Sequence, residues 1–193
     1  MTNADIVQSA VLFGVLIAGI VVFLKYRIIP VVELFGFRKV TPGYAFRRGG
    51  LLLLAAYPAI LLCNAAMNQV LGGHSEPQEI VQYFSHAARH SQWLRVLVTV
   101  TVAVVVAPLE EEFLFRGYIY GVLRRHLGVV PALLLNAALF GAIHLNLPAL
   151  PALFVLALCL TLAYESTGSL LVPMAMHAMF NAIMLSAIFF SGQ

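Results

Sequence analysis

Charge is the property this sequence most lacks. Asp, Glu, Lys and Arg make up 10% of its 193 residues, whereas soluble domains carry about a quarter. So few charges cannot cover a surface that faces water, which excludes an ordinary soluble protein. Hydrophobic residues make up 62% of the chain, so lipid must surround most of it, and we expect it in the cell (plasma) membrane.

Cysteine and basic runs are scarce as well. The two cysteines, Cys63 and Cys159, lie inside apolar stretches and form no CxxC motif, which argues against a disulfide framework or a zinc ribbon. No run of basic residues resembles those that follow a phosphate backbone, so nucleic acid is not an expected partner.

Long apolar runs are abundant, and they predict an all-α, polytopic transmembrane helical bundle of about six spans. Residues 1–193 are interpreted as a single membrane domain, since this length holds about five to seven spans of roughly 20 residues. The third run exceeds one crossing, so its helix should tilt or project. A short surface helix is predicted at 77–88. The predicted spans cover residues 6–24, 50–71, 93–125, 129–144, 152–164 and 169–190.

Lysine and arginine are distributed unevenly between the connecting segments. The segment Lys25–Arg48 holds six of them, and Arg124 and Arg125 follow two spans later, whereas the stretch 72–92 holds only Arg89. Because cytoplasmic loops are enriched in basic residues, the Lys25–Arg48 loop is predicted to be cytoplasmic. Six spans then leave both termini outside.

The third predicted span contains charges that an apolar helix should not have. Glu110, Glu111, Glu112 and Arg116 interrupt its hydrophobic run, and one ionised group near mid-bilayer costs about 2.5–3.5 kcal/mol. Glu112 and Arg116 are four positions apart, so they share a face and can pair. Glu111 points roughly 100° away from Glu112. Pro108 removes a backbone donor, which predicts a kink and a cavity just before the cluster.

Three further polar residues lie at a similar predicted depth. With a rise of about 1.5 Å per residue, Glu111 lies about 20 Å from the cytoplasmic face and His144 about 22 Å from it. His177 and Asn181, one turn apart in the last span, lie at about 12 and 18 Å. The four residues come from three helices, and their shared layer predicts an intramembrane catalytic cavity.

This set of residues is sufficient for peptide hydrolysis. A carboxylate beside a neutral imidazole can hold a water molecule and take its proton, and apolar surroundings make that carboxylate a stronger base. A second histidine and an amide can donate to the oxyanion that forms. The sequence therefore predicts a peptidase that acts on a peptide or protein substrate, with no serine or cysteine nucleophile, no metal and no other cofactor.

Three segments carry a resemblance to a known family. EEFLFR at 111–116, FGAIH at 140–144 and HAMFN at 177–181 resemble the signature motifs of the CPBP family, the CAAX prenyl endopeptidases and bacteriocin-processing enzymes, also called the ABI family. The resemblance covers about residues 108–181. It implies an all-helical membrane bundle around a conical cavity open to the cytoplasm, and a substrate that can be membrane-anchored or lipidated.

The resemblance also implies a role for each motif residue. Glu111 would be the catalytic base, His144 would help position the water, and His177 and Asn181 would form the oxyanion site. Glu112 and Arg116 would mainly hold the helix and its neighbours in place, with a second role in gripping the substrate left open. Glu110 adds a third acid to the usual pair, and the spacing to Arg116 favours Glu111 and Glu112 as that pair.

Other functions are compatible with the same residues. Glu111, His144 and His177 could ligate zinc in a membrane hydrolase, although the sequence has no HExxH motif. The bundle could instead be a non-catalytic membrane adaptor or immunity protein that binds a peptide in the cavity. A proton-coupled transporter also uses buried acids and histidines, but the chain is short for one and has no inverted repeat.

Overall fold

The computed structural model describes residues 2–72 and 78–191. Within these residues the chain forms eight helices and no strand, which confirms the predicted all-α class. Helices α1, α3, α5, α7 and α8 are long and apolar enough to cross a membrane. The helices are α1 (Asn3–Tyr26), α2 (Val31–Leu34), α3 (Pro42–Val70), α4 (Glu79–Arg89), α5 (Trp93–Leu127), α6 (Val129–Ile143), α7 (Leu150–Thr167) and α8 (Leu171–Ser191).

The predicted fourth span, α6, is shorter than a full crossing. Its 15 residues extend about 22 Å at the α-helical rise, less than the roughly 30 Å of the hydrocarbon core. The helix ends at Ile143, and His144 follows it directly. At this end of the helix Ile143 is exposed and His144 is half-buried.

Two helices near the water-facing surfaces differ in extent from the predictions. Helix α3 begins at Pro42, not at residue 50, because Thr41 accepts a hydrogen bond from the backbone of Tyr44 and proline suits the first turn. Hydropathy alone missed this first part because it carries Arg47 and Arg48. The predicted surface helix is present as α4, and residue 77 lies outside the described residues.

The backbone of α5 departs from the α-helical hydrogen-bonding pattern in two segments. A π-helical segment, Val102–Val106, precedes the α-helical turns Ala107–Glu112, and a second π-helical segment, Phe113–Ile119, follows them. The predicted disturbance before the acidic cluster therefore takes the form of a wider helical turn. Such π segments are frequent at functional sites, and the glutamates lie between two of them.

The core of the bundle is formed by α3, α7 and α8. Buried side chains of the three helices pack together, among them Leu53 and Ile60 of α3, Leu156 of α7 and Met176 of α8. A Cβ added to Gly49 of α3 would lie 3.0 Å from the backbone nitrogen of Met176, so α3 and α8 approach each other closely. Helix α1 lies at the edge of the bundle, and the polar residues of α5, α6 and α8 face its centre.

Candidate active site

Glu112 is the buried centre of the polar cluster. Its side chain is fully enclosed, and its Oε1 accepts hydrogen bonds of 2.8 Å from Nη1 of Arg116 and of 2.8 Å from Nδ1 of His177. Glu112 and Arg116 thus form the ion pair that their spacing predicts. Because a carboxylate only accepts, the His177 ring donates through Nδ1, and in the neutral ring Nε2 carries no proton.

Glu111 lies on the other side of the same imidazole. Its Oε2 is 3.9 Å from Nε2 of His177, and 18% of its side chain is exposed. This distance is too long for a direct hydrogen bond and within the span that one bridging water covers. Within the described residues, Oε2 of Glu111 and Oε2 of Glu112 are buried without a protein donor. His177 therefore joins the two glutamates.

Arg116 ties this cluster to helix α7. Its Nη2 donates to the carbonyl of Ala157 at 3.1 Å and its Nε donates to the hydroxyl of Thr161 at 3.4 Å. Its guanidinium carbon also lies 4.6 Å from the ring centre of Phe140 on α6. The planar guanidinium thus satisfies acceptors on two helices and stacks on a third.

Two buried polar residues that the sequence analysis did not single out extend the network. Asn136 donates through Nδ2 to the hydroxyl of Thr161 at 3.2 Å, and that hydroxyl donates to the carbonyl of Ala157 at 2.8 Å. Both side chains are fully buried. Asn136 is a lone polar residue in an apolar helix, and that signal could have identified it. An uncharged polar residue is a weaker functional signal than a charged one, because such residues commonly form hydrogen bonds between membrane helices.

His144 lies at the end of α6 and is half-buried. Its Nδ1 is 2.7 Å from the carbonyl of Phe140, so Nδ1 donates and Nε2 can accept. The ring of Phe140 packs against both histidines, with centroid distances of 4.9 Å to His144 and 5.8 Å to His177. Within the described residues no hydrogen bond or ion pair joins His144 to Glu111. The structure thus brings His177, more than His144, beside Glu111.

Asn181 connects α8 to the first π-helical segment of α5. Its Nδ2 donates to the carbonyl of Ala103 at 2.7 Å. It lies one turn beyond His177 on the same helix. One of its two amide N–H groups is therefore committed to the backbone of α5, and within the part of the chain that the structure describes the other remains for a further partner.

Glu110 has a different neighbour from the two glutamates that follow it. A Cβ added to Gly14 of α1 would lie 3.2 Å from Oε1 of Glu110. Glu110 therefore lies against α1, whereas Glu111 and Glu112 both approach His177. This geometry agrees with the pair of acids that the spacing to Arg116 favours.

An apolar cavity of about 360 Å³ lies between α3, α5 and α8, and none of Glu111, His144, His177 and Asn181 is among the residues that line it. Pro108, one turn before the glutamates, and Ala178, next to His177, line it together with Phe46 and Met174. The cavity can hold an apolar chain next to the polar groups.

Within the described residues, no group of three or more His, Cys, Asp and Glu side chains has the arrangement of a metal site.

Comparison with known proteins covers the same helices. Residues 92–183 match the family model described as "Type II CAAX prenyl endopeptidase Rce1-like". No curated protein and no solved structure shows significant similarity to the chain. The matched residues include all the motif residues from Glu111 to Asn181, so the family resemblance is confirmed.

Proposed function

Because residues 92–183 form an Rce1-like domain of the CAAX protease family, we propose that this membrane protein hydrolyses peptide bonds with a water molecule activated by Glu111. The observation that carries the proposal is the 3.9 Å gap between Oε2 of Glu111 and Nε2 of His177. A water in that gap contacts a base on one side and an imidazole on the other.

The chemistry proceeds in two proton transfers. Glu111 takes a proton from the water, whose oxygen attacks the peptide carbonyl carbon and leaves negative charge on the carbonyl oxygen. The free N–H of Asn181 donates to that oxyanion, as does Nε2 of His177 when its ring carries both protons. The carbon–nitrogen bond then breaks, and Glu111 returns the proton to the leaving amine.

The remaining polar residues orient these groups. Glu112 accepts from Nδ1 of His177 and fixes the plane of its ring, and Arg116 holds Glu112 in turn. His144 helps position the water through Nε2, since its Nδ1 bonds to the carbonyl of Phe140. We propose no metal and no other cofactor for this reaction. The adjacent apolar cavity favours a membrane-anchored or lipidated peptide as substrate.

The decisive variant is Glu111→Gln, which keeps the size of the side chain and removes the base. We expect cleavage of a library of lipidated and unmodified peptides, followed by mass spectrometry in detergent, to fall at least about 100-fold. The matched control is Glu110→Gln, because Glu110 faces α1, and it should keep near-native activity. Undiminished cleavage by Glu111→Gln would rule out the mechanism.

The same assay separates the alternatives. A chelator should leave activity unchanged, whereas a zinc hydrolase would lose activity together with stoichiometric zinc. A protein that binds library peptides without cleaving any of them would be the non-catalytic adaptor.

A further inference from the structure

The carbonyl of Ala103 has no backbone donor in either helical pattern. In an α-helix its donor would be the N–H of Ala107, but that group bonds to the carbonyl of Val102 instead. In a π-helix its donor would be the next residue, Pro108, which has no N–H. A buried carbonyl without a donor is costly in a membrane.

A side chain from another helix provides the missing donor. Nδ2 of Asn181 lies 2.7 Å from the oxygen of Ala103, a short distance for a neutral N–H···O bond. Pro108 is itself buried and lines the same apolar cavity as Ala178 and Ala182, the neighbours of Asn181 along α8. The π-helical segment and the proline thus leave the carbonyl of Ala103 without a backbone donor, and the side-chain amide of Asn181 on α8 lies next to it.

We propose that Pro108 is a positioning residue that orients the amide of Asn181 for catalysis. The two N–H bonds of a primary amide lie in one plane at a fixed angle. Once Ala103 holds the first, the second can point in few directions, and it needs no reorganisation when the oxyanion forms. This inference rests on the proposed function, because it gives Asn181 the oxyanion as its second partner.

The test is a double-mutant cycle between Pro108→Ala and Asn181→Ala. Alanine at 108 restores the backbone N–H, which competes for the carbonyl and releases the amide. We expect kcat of Pro108→Ala to fall about 10-fold with KM unchanged, because an oxyanion donor acts mainly in the transition state. Asn181→Ala should lower kcat about 100-fold in the native chain and less than about 10-fold further in Pro108→Ala.

Pro58→Ala is the matched control. Pro58 also lies inside a membrane-spanning helix, in α3, but it does not line the cavity. Its replacement should leave kcat and the cost of Asn181→Ala unchanged. Pro108→Ser, which also restores the N–H, repeats the cycle with a second side chain. Full kcat in Pro108→Ala, or losses that simply multiply in the double variant, would refute the inference.

A measurement without substrate distinguishes this inference from the proposed function. Asn181→Ala should lower the midpoint of thermal unfolding in the native chain, and by less in Pro108→Ala, because its bond to Ala103 has already been replaced. Activity that survives Glu111→Gln would overturn the proposed function and leave this thermal coupling intact. Equal thermal losses in both backgrounds would overturn the inference and leave the role of Glu111 standing.

Discussion

At the scale of single residues, one hydroxyl connects most of the buried network. Thr161 accepts hydrogen bonds from Arg116 and Asn136 and donates to the carbonyl of Ala157. Each donor has no water to replace a lost acceptor, since all three side chains are fully buried. Thr161 thus stabilises the arginine that holds Glu112 in place.

Thr161→Val removes this hydroxyl at nearly constant volume. The side chains of Arg116 and Asn136 then each lose an acceptor, and we expect the free energy of unfolding to fall by about 1–3 kcal/mol. Denaturant titration in detergent micelles measures the change. Thr99→Val is the control, because among the described residues the buried hydroxyl of Thr99 has no hydrogen-bond partner and its loss should be neutral or stabilising. A neutral Thr161→Val would contradict the network.

At the scale of helices, the sequence predicted the location of α1 and of α3 to α8, but it missed the four-residue helix α2 and gave no detailed geometry. The pairing of Glu112 with Arg116 followed from helical spacing alone. Counting residues along each helix predicted the depth of a residue in the membrane. It did not predict how each helix is rotated about its own axis or which helices are neighbours. For that reason it could not show that Glu111 lies beside His177, or that the ring of Phe140 packs against both histidines.

The π-helical segments and the Asn181–Ala103 bond were beyond prediction for a different reason. Pro108 indicates a disturbed backbone, but the sequence does not say whether the helix kinks or widens. The partner that satisfies the open carbonyl comes from α8, 78 positions along the chain. Such a long-range contact depends on how the helices pack, and no local pattern encodes it.

Adjacent glycines in α3 provide a test of the packing between helices. A Cβ on Gly49 would lie 3.0 Å and 3.1 Å from backbone atoms of Met176 and Val172, whereas a Cβ on Gly50 would meet only Met179, at 3.7 Å. Gly49→Ala should therefore push α3 away from α8 and lower the free energy of unfolding by about 1–3 kcal/mol.

Gly50→Ala serves as the control for this variant. The new methyl group has room, and alanine favours the helix, so the free energy of unfolding should stay level or rise by up to about 1 kcal/mol. Thermal unfolding of both proteins in the same detergent gives the comparison. Equal stabilities of the two variants would show that α3 and α8 are not in close contact at this point.

At the scale of the whole molecule, five long helices and the shorter α6 form a membrane bundle. The basic residues between α1 and α3 predict that this end of the bundle faces the cytoplasm. Helix α4, with a polar face and the buried residues Phe84 and Ala87 on the other, would then lie on the outer surface. The proposed active-site residues lie between these two ends.

Single-cysteine labelling tests this orientation. In a background with Cys63 and Cys159 replaced by alanine, Arg38→Cys should react with a membrane-impermeant maleimide only after the cells are opened. Arg89→Cys should react in intact cells, because the stretch 72–92 between α3 and α5 carries few basic residues and is predicted to lie outside. Reaction of both cysteines from the same side would refute the proposed topology.

The acceptors that anchor Arg116 and Asn181 on neighbouring helices include the peptide oxygens of Ala157 and Ala103. A scan that replaces side chains one by one would pass over both alanines, because any substituent there keeps the oxygen. Several hydrogen bonds that stabilise this centre thus depend on main-chain carbonyl groups. Their contribution is measured by changing the backbone itself, for example by amide-to-ester exchange.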